Sequence, residues 1–311
     1  MNSPSLDRFR QEMRGVWHKM SAINWSTPGF TKDKAYVSAV FSKLAYLEIP
    51  EFELKSSSFA KVIPCLTYQQ LVSKKIAINL QEFLRELEFG DVFIVPTQYV
   101  VAVAIFGQDV IFIALRGTRP LYLSDWMVDF RVSRASVYVK DELAEFHSGF
   151  FLHLNECLDA LSRRLNEKLG SFSSTVPIYV VGHSLGGAMA AIMHALAGQT
   201  FFSKYRLGLD LSVPFDTHSS YTFGMPRYGD RRVMQQLRTP YHVYHVRDLV
   251  PGVPPRWLGF ESSPKEYRIG HRRVPWLAPQ DPQGLRWWLG RLNLGRGVRY
   301  HFIERYIHEL R

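Results

Sequence analysis

The most constraining feature of the chain is a junction. Pro177 to Val181 is a short apolar run, and it leads without a break into Gly182-His183-Ser184-Leu185-Gly186-Gly187. Ala188 to Ala197 then follows as a small-residue, helix-prone stretch. A short, fully apolar run suits the centre of a parallel sheet covered on both faces. Passing from strand to helix through Gly-x-Ser-x-Gly forces a sharp turn that lifts the serine clear of the sheet, and the flanking glycines allow it without Cβ clashes. The helix N-terminus then offers free N–H groups where negative charge would develop on a substrate. The bare pattern arises by chance about once in ten chains of this length. Its place between an apolar strand and a helix gives it force.

The rest of the chain supplies the setting. Apolar residues from Asp33 to Leu47 recur at helical spacing, a second helical stretch runs near Leu80 to Phe89, and a long amphipathic helix is expected from Gly149 to Leu169. Strands are expected at Tyr99 to Phe106, Val110 to Leu115, Ser220 to Phe223 and His242 to Val246. Strands alternating with helices argue for an α/β fold with a mostly parallel central sheet and helices on both faces. No linker rich in Gly, Ser or Pro divides the chain, so 1–311 reads as a single domain with residues 1–33 as a polar N-terminal arm. With 46% apolar and 21% charged residues there is ample material for one large core.

The net charge of +10 should attract polyanions, either nucleic acid or anionic lipid. Two cysteines, Cys65 and Cys157, are too few for a disulfide framework and read as buried thiols. The first residues hold no apolar signal-like run, which leads to the expectation of a cytoplasmic protein or one exported without a cleavable signal. No histidine pair has the spacing and carboxylate company of a metal site, so neither metal nor cofactor is expected.

GHSLGG, preceded by IALRGT and followed by YTFGMPRYGD and HVRDLVPGVPP, resembles the class 3 lipases, over about residues 99–308. That resemblance implies an α/β-hydrolase fold and hydrolysis of acyl esters of glycerolipids through an acyl-enzyme on Ser184. A serine hydroxyl needs a histidine to take its proton and an acid to orient that histidine, in the chain order Ser, acid, His. Among Asp210, Asp216, Asp230, Asp248 and Asp281, Asp248 stands out because it follows an apolar strand and coincides with the family's acid motif; Asp230 is the runner-up. Among His271, His301 and His308, the resemblance selects His301, which has Tyr306 five residues on and a C-terminal helix behind it. His183 should point away from Ser184 and support the turn.

For the oxyanion of a tetrahedral intermediate, the resemblance implies the N–H of Leu185 and the N–H and hydroxyl of Thr118 as donors, with Arg116 structural. In the segment 119–130 it implies a lid over the acyl groove, with Leu121, Leu123, Trp126 and Met127 facing substrate. Packing of those side chains in the core is the equal alternative.

Residues 256–299 form a basic, aromatic insertion. Positions 271–299 carry six arginines against one acid, with Trp276, Trp287 and Trp288 among them. Docking on an anionic membrane surface suits that mixture. A loop packed on the sheet remains open, and nucleic acid is disfavoured because no recognition motif is present. The main reading is therefore a lipase or esterase acting on triacylglycerol, diacylglycerol or phospholipid (phospholipase A1 type). A short-chain carboxylesterase or a catalytically idle, membrane-associated binding module are the alternatives.

Overall fold

The computed structural model describes residues 4–46, 84, 90–97, 100–116, 133–139, 142–169, 176–198, 200–201, 211–213, 215–270 and 298–311. Thr118, the segment 119–130 with Leu121, Leu123, Trp126 and Met127, the helical stretch near Leu80 to Phe89 apart from Leu84, and residues 271–297 all lie outside the described residues.

Among the described residues seven strands form the central sheet: β1 (Val92–Pro96), β2 (Val101–Phe106), β3 (Ile111–Arg116), β6 (Ile178–His183), β9 (Ser219–Phe223), β10 (Tyr241–His245) and β11 (Glu266–Ile269), in that spatial order. β1, β2 and β3 pair antiparallel as a meander. From β3 onward every pairing is parallel. A separate hairpin, β4 (Arg134–Val139) with β5 (Glu142–His147), stands beside this sheet, and β7 (Thr200–Phe201) pairs with β8 (Leu211–Ser212).

The central strands are buried on both faces, which is why they read as unbroken apolar runs. Ile178 and Val180 of β6, with Ile111, Ile113 and Leu115 of β3, face one core. That core is closed by α3 (Ser148–Leu169) and α4 (Leu185–Leu196), through residues such as Leu154, Leu158, Leu161, Ile192 and Met193. Tyr179 and Val181, with Phe112 and Ala114, face a second core on the other side. It is closed by α1 (Pro4–Ser21), α2 (Lys32–Leu44) and the C-terminal α6 (Ile303–Leu310). A short helix between them in the chain, α5 (Arg231–Gln236), is capped by Asp230, whose carboxylate accepts from the Val233 N–H at 2.9 Å.

The N-terminal region departs from the expected polar arm. Met13, Val16 and Met20 form a buried stripe along α1, at helical spacing but diluted by charged neighbours. Trp25 is buried against Phe112 and Tyr179 with ring centroids 5.1 and 5.0 Å away, and the Tyr179 hydroxyl donates to its carbonyl at 2.7 Å. The segment is thus part of the second core. α6 is also well docked: Ile303, Tyr306, Ile307 and Leu310 are all buried, each worth on the order of 1.5–3 kcal/mol. Lys43–Glu304 at 4.0 Å and an Arg311–Glu12 ion pair fasten α6 to α2 and α1.

The insertion at 256–299 begins differently from a surface loop. Residues 266–269 extend the sheet as β11, in parallel register with His242–His245 of β10. Cys157 is buried on α3 and donates weakly to the Leu154 carbonyl.

Candidate active site

Ser184 sits between β6 and α4 with φ 58° and ψ −129°, the only positive φ at a non-glycine among the described residues. Such a conformation costs of order 1–3 kcal/mol and persists only where its surroundings enforce it. Here the enforcement is close packing. A Cβ on Gly182 would lie 2.3 Å from the Gly186 carbonyl oxygen, and one on Gly186 would lie 2.0 Å from the Leu115 oxygen. The two glycines let α4 start directly against β3 and β6. The Ser184 N–H donates to Phe223 O at 2.9 Å, fixing the turn against β9. First-turn amides of a helix have no partner inside the helix, so the Leu185 N–H belongs to a set that points at the serine's surroundings.

Three residues widely separated in the chain meet at this turn. His301 Nε2 lies 2.8 Å from Ser184 Oγ, and His301 Nδ1 lies 2.8 Å from Asp248 Oδ2. All three side chains are buried. The carboxylate fixes the tautomer: it can only accept, so Nδ1 carries the proton and Nε2 is free to accept from the serine hydroxyl. Asp248 is placed by the loop at the end of β10, and its Oδ1 accepts from the Val250 N–H at 3.0 Å. Burial alone would raise its pKa, but His301, the Tyr306 hydroxyl and the Val250 N–H outweigh burial and hold it below the usual carboxylate value.

Tyr306, five residues along from His301, donates its hydroxyl to Asp248 Oδ2 at 2.5 Å and accepts from the His245 N–H at 3.2 Å. Burial, then the adjacent carboxylate, raises its pKa well above that of free phenol, so it remains a donor. Sequence patterning assigns Tyr306 only to the docking face of α6; the structure adds its bond to the acid. Gly224, with φ +54°, is a second residue that pattern reading passes over. A Cβ there would lie 2.6 Å from Asp248 Oδ2, 2.7 Å from Tyr306 Oη and 3.2 Å from His301 Nδ1. Its signal in the sequence is slight, a single glycine directly after a strand.

His183 points away from Ser184 and bonds to the backbone of His301, its Nε2 lying 2.5 Å from the His301 carbonyl oxygen. Burial pushes its pKa down to about 3, so the ring is neutral near pH 7. His308 is exposed on α6, and Asp230 caps α5 away from the triad positions. Arg116 is buried at the end of β3. Among the described residues no cluster of three or more His, Cys, Asp or Glu could hold a metal ion, and no helix is long and apolar enough to cross a membrane. A serine, an imidazole and a carboxylate in this geometry, with helix amides alongside, form the constellation that performs acyl transfer.

The chain is similar to several known proteins. The model of the family described as "Lipase (class 3)" matches residues 112–257. Toxin TseL of Vibrio cholerae is 31% identical over 38% of this chain and 16% of its own length. A secreted mono- and diacylglycerol lipase of Fusarium solani is 27% identical over 50% of this chain and 43% of its own. The crystal structure of a lipase from Rhizopus microsporus var. chinensis, 21% identical, covers 73% of this chain and 77% of that chain with a TM-score of 0.47. The chain thus spans less than half the length of these two curated relatives.

Proposed function

We propose that the protein is a serine hydrolase of the class 3 lipase type that cleaves acyl esters of glycerolipids, a reading supported by the match of residues 112–257 to that family's model. The observation that carries the proposal is the unbroken relay from Asp248 through His301 to Ser184 at a strained strand-to-helix turn. His301 Nε2 takes the hydroxyl proton as Ser184 Oγ attacks the ester carbonyl carbon, and the carbonyl π electrons move onto oxygen. The Leu185 N–H faces that oxyanion, with Thr118 as the second donor implied by the family's oxyanion loop. Each such donor is worth about 3–4 kcal/mol in enzymes of this chemistry. Collapse of the intermediate expels the alcohol, which takes the proton from the imidazolium. Water, deprotonated by the same imidazole, attacks the acyl carbon, and collapse of the second intermediate releases the fatty acid as the imidazolium returns the proton to Ser184 Oγ. Asp248 stays ionised throughout, orienting the ring and stabilising its charged form.

The substrate class follows the relatives. The Fusarium protein is named as a mono- and diacylglycerol lipase, which favours neutral acylglycerols; a phospholipid substrate of phospholipase A1 type is the finer alternative. We also place the site at an anionic lipid surface, with the segment 119–130 as its lid. Trp257 is half exposed on the loop after β10, between Arg256 and a leucine, and Arg247 and Arg299 are exposed and both lie against the ring of Tyr300, next to His301. An exposed indole beside arginines suits the headgroup layer.

Fatty-acid release from a panel of tri-, di- and monoacylglycerols and phosphoglycerides tests the proposal, with vesicles of neutral and anionic composition. Serine-dependent release is expected, fastest from diacylglycerol and faster on anionic vesicles. Release from no lipid, or release that Ser184→Ala leaves intact, would overturn it.

A further inference from the structure

Tyr46 lies two residues beyond α2, in a part of the chain that the family match does not reach. Its hydroxyl is 3.0 Å from His183 Nδ1 and 3.3 Å from the His183 carbonyl oxygen. On the other edge of the same ring, His183 Nε2 meets the His301 carbonyl oxygen at 2.5 Å. A carbonyl only accepts, so Nε2 must carry the proton. The ring is neutral, which leaves Nδ1 as an acceptor, and the Tyr46 hydroxyl supplies the proton it needs. The bridge is therefore directional: Tyr46 O–H to His183 Nδ1, then His183 Nε2–H to the backbone of His301.

From this geometry we infer that Tyr46 is a positioning residue for His301, acting through His183. The inference rests on the acyl-transfer reading above. His301 lies in the turn ahead of α6, and its imidazole must hold two 2.8 Å contacts at once. The carbonyl bond from His183 fixes the backbone that carries the ring. Without the Tyr46 hydroxyl, Nδ1 loses its donor and the His183 ring keeps only the bond to the His301 carbonyl, about which it is free to tilt. The two imidazoles are close enough, 4.6 Å between centroids, for a tilt in one to displace the other.

α2 is suited to supply a fixed point. It is buried from Lys34 to Leu44, and Thr31 caps it by accepting from the Lys34 N–H at 3.1 Å. Lys43–Glu304 ties its end to α6, the helix that His301 precedes. This gives α2 a role in the chemistry as well as in the second core.

The test compares Tyr46→Phe, His183→Ala and His183→Gln with the native chain, all normalised to the fraction titrated by a fluorophosphonate. Tyr46→Phe keeps the ring and removes only the bond. It should lower kcat about tenfold with KM unchanged, the scale of one lost hydrogen bond felt in the transition state. His183→Ala should lower kcat further. His183→Gln, whose amide nitrogen reaches the position of Nε2, should recover most of that loss. Histidine-ring nitrogen NMR gives a readout independent of turnover: native His183 should carry its proton on Nε2, and Tyr46→Phe should shift both the His183 and His301 ring signals. Unchanged kcat in Tyr46→Phe, or a change in melting temperature alone, would overturn the inference. So would unaltered His301 signals, even in a chain that labels with no fluorophosphonate. A native chain that fails to label while the ring signals shift would sink the acyl-transfer reading and leave the bridge standing.

Discussion

His147, His183 and His194 are deeply buried, and burial is the largest influence holding their pKa values at about 4, about 3 and about 3, against 6.5 for an ordinary imidazole. The charges of Arg238 and Lys265 add to the effect at His194, and His153 adds to it at His147. In the unfolded chain each ring takes up a proton below about pH 6.5, while in the folded chain each stays neutral until near pH 3–4. Between those limits the unfolded state binds more protons, so stability falls as pH falls. The contribution is whole above pH 6.5 and is lost progressively toward the folded values. At pH 5 each of the three rings costs about 2 kcal/mol relative to pH 7.5, together about 6 kcal/mol. That is comparable with the whole stability of many domains, about 5–15 kcal/mol. Asp248 and Asp216, held below the usual carboxylate value, extend the loss at still lower pH. Urea unfolding at pH 7.5, 6.5, 5.5 and 5.0 measures it. The unfolding midpoint should drop steeply below pH 6.5, and His194→Gln should flatten the dependence by about one ring's share, near 2 kcal/mol at pH 5. A midpoint that stays level from pH 7.5 to 5.0 would refute the claim that these rings are buried without charge.

Three further outcomes follow from the site. Asp248→Asn should lower kcat roughly 10,000-fold with little change in KM, because an amide no longer selects the His301 tautomer; steady-state kinetics on a soluble ester checks it. Gly224→Ala sets a methyl 2.6 Å from Asp248 Oδ2 and 2.7 Å from Tyr306 Oη. Displacing the acid by an ångström should cost about 100-fold in kcat, read against a melting curve that shows the protein still folded. Gly186→Ala forces a carbon to within 2.0 Å of the Leu115 carbonyl oxygen and so drives α4 off β3. The loss should be about 3 kcal/mol, at the upper end of ordinary overpacking, seen as a lower urea midpoint at pH 7.5.

Much of the site is legible in the sequence because its chemistry is local or ordered. The turn at Ser184 announces itself through glycines that the packing against β3 demands. Asp248 is singled out because it follows an apolar strand and coincides with the acid motif of the class 3 lipases, and His301 because its surroundings resemble that family's C-terminal pattern. The structure brings Ser184, His301 and Asp248 together within hydrogen-bond distance. What pattern reading misses is what depends on contacts across the fold. Tyr46 and His183 are 137 residues apart, and no periodicity links a tyrosine after one helix to a histidine ending a strand. α1 reads as a polar arm because Met13, Val16 and Met20 form a narrow stripe among charges, and only the apolar ring of Trp25 nearby hints at docking. β1 and β11 lie at the two edges of the sheet, where partly exposed residues break the apolar run that identifies a central strand. The hairpin of β4 and β5 mixes charged and apolar residues for the same reason.

The central claim is that Ser184 is the nucleophile of an acyl-transfer site. Reaction with a tagged fluorophosphonate, followed by mass mapping of the modified peptide, tests it most directly and needs no knowledge of the natural lipid. The account predicts one adduct per chain on Ser184, abolished in Ser184→Ala and strongly slowed in a His301→Ala chain that remains folded. Labelling that persists in Ser184→Ala, or a folded native chain that takes up no reagent, would contradict it.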